Sequence, residues 1–163
     1  MSELWKEYTR PSILDKGVFP FGIQRDKKIY LTSVRDMGRI AGWILNKNDN
    51  RYHKRVINIA GDMLTAPEIA DKFARAQDSN CVRKDSKIFR ILSRFFFRDL
   101  YQIIRFYRNT SESTDIKRLK EEFGDELLTD FNSFLKETDW GNRELSFDDL
   151  SDVEKILDID VGV

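Results

Sequence analysis

The order of apolar and polar residues in the first half of the chain predicts a strand followed by a helix, twice. The first strand is KKIYLTS at residues 27–33, and a helix to about Asn46 follows it. Ser33 and Asp36 have the spacing of a capping box, in which each side chain binds the backbone N–H of the other residue. Helical spacing predicts a core-facing stripe on this helix, made of Val34, Met37, Ala41 and Ile44.

The second strand–helix unit begins with the β-branched run RVINIA at residues 55–60 and turns at Gly61 and Asp62. Thr65 and Glu68 form a second capping box, which starts the next helix. Its buried side is predicted to consist of Ile69, Phe73 and Ala76.

Three further segments are short. Residues 1–12 contain a helical piece that is expected to stop at Arg10, because Pro11 disfavours helical backbone in the residue before it. Residues 13–26 are rich in glycine and proline and are predicted to be a loop. The segment NCVRK at residues 80–84 is a candidate third strand.

The second half of the chain is helical in pattern. A long helix is predicted over residues 86–108, and two shorter helices follow over 114–122 and 129–138, joined at Gly124. One edge of the long helix is basic: Lys87, Arg90, Arg94, Arg98, Arg105 and Arg108. The whole pattern predicts an α/β fold that is mostly helical, with a few short strands and about five or six helices.

Charge divides the chain, although the total is zero. Residues 80–108 hold eight Lys or Arg against two Asp or Glu, whereas residues 139–163 hold two against eight. We therefore predict one domain over residues 1–140 and an acidic tail over 141–163, which would pair with the basic edge of helix 86–108. The zero total charge makes a nucleic-acid partner unexpected.

Composition limits the compartment and the metal chemistry. No secretory signal opens the chain, and arginines interrupt its longest apolar stretch, so we expect neither secretion nor a membrane span. The predicted location is the cytoplasm, with the nucleus as the alternative. One cysteine, Cys81, and one histidine, His53, are too few for a structural zinc site, so no metal is predicted.

The strand–glycine–helix order around Gly61 is also how a dinucleotide-binding unit begins. Such a unit needs three closely spaced glycines, and AGDMLTAPE at residues 60–68 contains one. Asp62 and Thr65 are therefore predicted to satisfy the turn and the helix start. No tyrosine is followed four residues later by lysine, and His53 lies in a polar turn, so no catalytic residues are predicted.

Four blocks of the sequence resemble the NmrA-like proteins, a branch of the atypical short-chain dehydrogenase/reductases. They are YTRP (8–11), KKIYLTSVRDMGRIAGWIL (27–45), YHKRVINIAGDMLTAPEIADKF (52–73) and IIRFYRNTSESTDIKRLKEEFGDELLTDFNSFL (103–135). The resemblance covers about residues 8–136 and is confined to the second half of such a protein. The A-G-D-x-L-T block and the spacing of the later blocks give the resemblance its specificity.

The resemblance implies a partial Rossmann-type fold whose N-terminal dinucleotide-binding half is missing. By matching the family motif, Arg10, Pro11 and Ser12 would lie at the strand end that touches the nicotinamide side of NAD(P). Asp36 would start the helix beside the cleft, with Gly61, Asp62 and Thr65 as structural residues of that cleft. NAD(P) is thus the cofactor that the family implies, and none is expected for this chain alone.

Three hypotheses about function remain open. The leading one is a non-catalytic, NmrA-like binding or regulatory protein linked to NAD(P) redox sensing. The alternative is the substrate-side half of an NAD(P)H-dependent reductase whose Rossmann half is supplied elsewhere, and the third is a gene remnant. A protein partner or a homo-oligomer is expected, because a strand at 55–60 would leave an unpaired edge.

Overall fold

The computed structural model describes residues 1, 9–19, 25–47, 49–83, 102, 105–106 and 114–145. Within these residues the fold is mixed α/β, with five helices and two pairs of short strands. In chain order the elements are α1 (Thr9–Leu14), β1 (Val18–Phe19), β2 (Lys28–Leu31), α2 (Val34–Lys47), β3 (Asp62–Thr65), α3 (Ala66–Ala76), β4 (Val82–Arg83), α4 (Ile116–Phe123) and α5 (Phe131–Glu137), with 3-10 turns at Asn50–Tyr52 and Asp125–Leu127.

Most of the predicted elements are confirmed, with small changes at their ends. Strand β2, the candidate strand β4 and helices α2 to α5 all form where the sequence pattern places them. The predicted long helix over 86–108 lies outside the described residues except at 102, 105 and 106, and so does the predicted tail beyond residue 145. Their pairing stays a prediction. No helix in the described ranges is long and apolar enough to cross a membrane.

The strand predicted at residues 55–60 is wrong. That run has no regular structure, Val56 is 87% exposed, and strand β3 begins only at Asp62. β3 pairs antiparallel with β2, so that Leu31 lies opposite Asp62. Ahead of this ladder, the N–H of Gly61 donates to the Leu31 carbonyl at 2.9 Å. The unpaired strand edge expected at 55–60 is therefore not formed.

Helix α1 corrects the prediction for the N-terminal segment. Arg10 and Pro11 lie inside α1, and the helix continues to Leu14 within the predicted loop of residues 13–26. Pro11 is tolerated because the first turn of a helix leaves its N–H groups without intrahelical partners. Residues 9–11 of the YTRP block therefore lie in a helix rather than at a strand end. Strand β1 follows and pairs parallel with β4.

Helix α2 presents a different face to the core from the one that the apolar pattern predicts. Val34 is 61% exposed, and Met37 and Ala41 are also exposed. Of the predicted stripe, Ile44 alone packs against the core, as a partly buried residue. Asp36 and Ile40 are the residues of α2 that are fully covered. The helix is thus rotated about its axis relative to the prediction, because Asp36 lies on the buried face.

Two clusters of buried side chains form the core. The first surrounds Phe73 of α3, whose ring contacts Trp140 at a centroid distance of 4.6 Å. Ile69 and Phe73 are buried as predicted, whereas Ala76 is exposed because it lies at the last position of α3. The second cluster lies between α2 and α4 and contains Ile40, Tyr52, Leu119, Phe123 and Leu128.

Candidate functional site

The carboxylate of Asp36 is fully buried and binds a residue far away in the sequence. One oxygen accepts the backbone N–H of Thr129 and the other accepts the Thr129 hydroxyl, both at 2.7 Å. The carboxylate therefore points across the fold to Thr129, and the predicted capping box with Ser33 is wrong. A buried carboxylate needs donors for both oxygens, and Thr129 supplies them. This contact sets the rotation of α2.

Gly61 and Asp62 contact the same segment as Asp36. A side chain at Gly61 would overlap the carbonyl oxygen of Thr129, so only glycine lets the two backbones approach. Asp62 accepts the N–H of Met63 at 2.8 Å and that of Phe131 at 3.2 Å. The structure thus brings three of the predicted cleft residues together around residues 129–131, where they hold the start of α5.

Thr65 performs the local role predicted for it. Its hydroxyl accepts the N–H of Glu68, and the carboxylate of Glu68 accepts the N–H of Thr65, so the second capping box is confirmed. The hydrogen bonds from the Thr65 N–H and hydroxyl hold the pKa of Glu68 below its usual value. This capping box begins α3 directly after β3.

Arg10, predicted for the nicotinamide side, is buried under the end of the described chain. Its Nη1 donates to the Leu145 carbonyl at 2.7 Å, and its Nη2 donates to the Asn142 carbonyl. The guanidinium also lies 5.9 Å from the ring of Trp140. Burial lowers the pKa of Arg10.

The neighbours of Arg10 have separate surroundings. The Ser12 hydroxyl donates to the Val18 carbonyl at 3.4 Å, and Pro11 is exposed. Arg143 donates to the carbonyl of Leu14, the last residue of α1, and pairs with Asp15 directly after the helix. Residues 142, 143 and 145 of the predicted tail therefore contact α1.

Two polar groupings were not predicted from the sequence. In the first, Glu122 accepts two hydrogen bonds from Arg55, at 2.8 and 3.1 Å, and these lower the pKa of Glu122. Burial raises the pKa of the adjacent Tyr52. The second is a groove between α3 and α5, lined by Lys72, Arg75 and Lys136 among others. The i, i+3 spacing of Lys72 and Arg75 shows in the sequence that both lie on one face of α3. The sequence does not show that this face lies beside Lys136 of α5.

The described part of the chain bears on metal binding and on thiol reactivity through its acidic, histidine and cysteine side chains. No group of three or more His, Cys, Asp or Glu side chains lies close enough there to hold a metal ion. His53 is exposed. Cys81 is buried, and burial raises the pKa of its thiol to about 11, which keeps the less nucleophilic protonated form at neutral pH.

No protein-family model matches the chain, and no curated protein matches it either. The candidate roles therefore rest on the contacts described above.

Proposed function

We propose that this chain is a non-catalytic binding or regulatory module of the NmrA-like type, with its role linked to NAD(P) redox state. In this proposal its fold corresponds to the second half of a Rossmann-type reductase. The A-G-D-x-L-T block supports it as a structural unit: Gly61 permits the close approach to Thr129, Asp62 binds Phe131, and Thr65 caps α3.

The hydrogen bonds of Arg10 and Asp36 are the observation that carries the proposal. A catalytic acid or base, or a group that binds an anion, must face its ligand. The two terminal nitrogens of Arg10 donate to carbonyls of residues 142 and 145, and both oxygens of Asp36 accept from Thr129. These contacts support structural roles for both residues rather than roles as a catalytic acid or base.

The proposed link to NAD(P) is indirect. The sequence around Gly61 has no glycine-rich loop, and Asp62 and Thr65 are engaged in the turn and the helix cap. We propose that the dinucleotide is held by a partner rather than by this chain. A partner that supplies a complete Rossmann half would instead give the reductase of the alternative hypothesis.

Nucleotide binding and turnover test the proposal together. We expect calorimetric titration of NADPH and NADH into the isolated chain to show no binding at concentrations on the order of micromolar. We also expect no loss of nicotinamide absorbance with carbonyl or quinone acceptors. A known dinucleotide-dependent reductase serves as the positive control. Micromolar binding with turnover would overturn the proposal in favour of a reductase.

A further inference from the structure

The groove between α3 and α5 combines a cationic rim with an apolar floor. Its volume is about 530 Å³, and small-molecule sites span roughly 300–1,000 Å³. Lys72 and Arg75 contribute to the rim from α3, and Lys136 contributes from α5. Leu135 and Trp140, both buried, provide apolar lining. The groove therefore has room for a small ligand, and it offers that ligand a cationic surface and an apolar surface.

Two of the three rim cations, Arg75 and Lys136, lack acidic partners among the described residues, whereas Lys72 interacts electrostatically with Glu68 and Asp130. Arg75 and Lys136 are exposed and make no ion pair or hydrogen bond with that part of the chain. The Nζ of Lys72 donates to the neutral amide oxygen of Asn132 at 2.9 Å. Four other arginines of the described residues form ion pairs, as Arg55 does with Glu122. The positive charges of Arg75 and Lys136 are thus available to a ligand.

Helix geometry explains these cations only in part. Arg75 and Lys136 lie in the last turns of their helices, where a positive charge is favourable by about 0.3–1 kcal/mol. The final carbonyls are already hydrogen-bonded to the backbone, for example the Leu135 carbonyl to the N–H of Trp140. Neither side chain is needed as a cap. The helix dipoles also do not explain Lys72, which lies in the middle of α3.

The end of the groove is fixed by a close backbone contact. Gly141 also lines the groove, and a side chain at this position would approach the Ala76 carbonyl oxygen to 2.8 Å. Glycine therefore lets the chain after α5 lie directly against the end of α3. This contact holds the two helices in register across the groove.

We infer that the α3–α5 groove binds a small molecule that carries a phosphate group next to an apolar group. Three cations and one carboxylate, Asp139, give the rim a net charge of +2. A phosphate monoester carries about −1.5 to −2 at neutral pH, which matches this charge. The apolar group of the ligand would lie against Leu135 and Trp140. The inference rests on the proposed function, because it names the class of ligand that the binding module takes.

Nuclear magnetic resonance of the full ¹⁵N-labelled chain tests the site with two probes, inorganic phosphate and phenyl phosphate. We expect both to shift the backbone amides of residues 75, 136 and 141. Phenyl phosphate should bind more tightly because its ring can contact the apolar floor. Lys136→Gln and Arg75→Gln should each weaken binding about tenfold, since each removes a charge-assisted hydrogen bond.

Lys117→Gln is the matched control, because it removes the same charge from an 88% exposed lysine on α4. It should leave the affinity unchanged. Groove amides that do not respond, or equal weakening by the control, would mean an adventitious ion only and would overturn the inference. NADPH turnover with a phosphate-binding groove would instead contradict the proposed function and leave the groove site intact.

Discussion

Asp36 and Thr129 are 93 residues apart in the sequence, and the buried carboxylate of one accepts both the N–H and the hydroxyl of the other. The pair joins α2 to the start of α5. It also determines which face of α2 is buried, and it accounts for the burial of a charged residue near the start of this helix.

Removing either partner should destabilise the fold. We expect Asp36→Ala and Thr129→Val each to lower the free energy of unfolding by about 1–3 kcal/mol, because each leaves a buried polar group without its partner. Urea denaturation gives both values, and a double-mutant cycle should show coupling between the two sites. Thr129→Ser keeps the hydroxyl and should change stability less than Thr129→Val. Additive single effects would contradict the direct contact.

Two glycine-to-alanine substitutions should have opposite effects. Gly61→Ala places a methyl group against the Thr129 carbonyl and should lower the free energy of unfolding by about 1–3 kcal/mol. A methyl group at Gly38 in α2 would meet no heavy atom of the described residues within 4 Å. Gly38→Ala should therefore raise stability by about 0.5–1 kcal/mol through helix propensity. Thermal unfolding of the two variants side by side measures both signs.

The apolar residues on the outer face of α2 should tolerate polar substitution. Leu45 is 79% exposed, and Met37 is also exposed. We expect Leu45→Lys and Met37→Gln each to change the free energy of unfolding by less than about 0.5 kcal/mol. Ile40→Ala, on the buried face, should lower it by about 2–5 kcal/mol. Large losses at both outer positions would show that this face is covered in solution.

Cys81 should react slowly in the folded protein. Because burial raises the pKa of its thiol to about 11, its alkylation rate should still be rising at pH values where an unfolded cysteine has already levelled off. The raised pKa also means that its contribution to stability is present below the unfolded pKa and is lost as the pH rises towards about 11. Iodoacetamide labelling followed by mass spectrometry, with and without urea, measures the difference. Equal rates in both would contradict the burial.

The pairing of Glu122 with Arg55 should stabilise the fold at pH values above the ordinary pKa of glutamate. It should not stabilise the fold in acid. The hydrogen bonds from Arg55 lower the pKa of Glu122, so its stabilising effect is lost as the pH falls through that lowered value. We expect Glu122→Gln to melt at a lower temperature than the parent chain near neutral pH. The two melting temperatures should converge in acid. A constant difference across the pH range would show that the ion pair contributes nothing.

The parts of the structure that could be predicted from sequence are those fixed by neighbouring residues. The capping box joins Thr65 and Glu68, which are three positions apart, and it was predicted correctly, as was the buried side of α3 at Ile69 and Phe73. The start of β3 was misplaced because its ladder depends on β2, which lies more than thirty residues earlier. Local β-branched composition at residues 55–60 could not reveal that pairing.

The rotation of α2 and the surroundings of Arg10 required contacts between distant residues. Two faces of α2 are apolar enough to be buried, and the contact between Asp36 and Thr129 selects one of them. Arg10 binds a carbonyl 135 residues away, at Leu145. Neither partner has a sequence signal, because any backbone carbonyl or threonine could serve. The sequence therefore identified the candidate residues but not the groups that they contact.

The anchoring of α1 by residues 142–145 has a consequence for how the protein is made. A ribosome releases the chain from its N-terminus, so Arg10 emerges long before the carbonyls that it binds. Asp36 and Gly61 are likewise synthesised before Thr129, which both of them contact. Nascent chains stalled before residue 129 should thus expose these polar groups and their apolar neighbours to chaperones. Cooperative folding should begin only once the segment through residue 145 has been released.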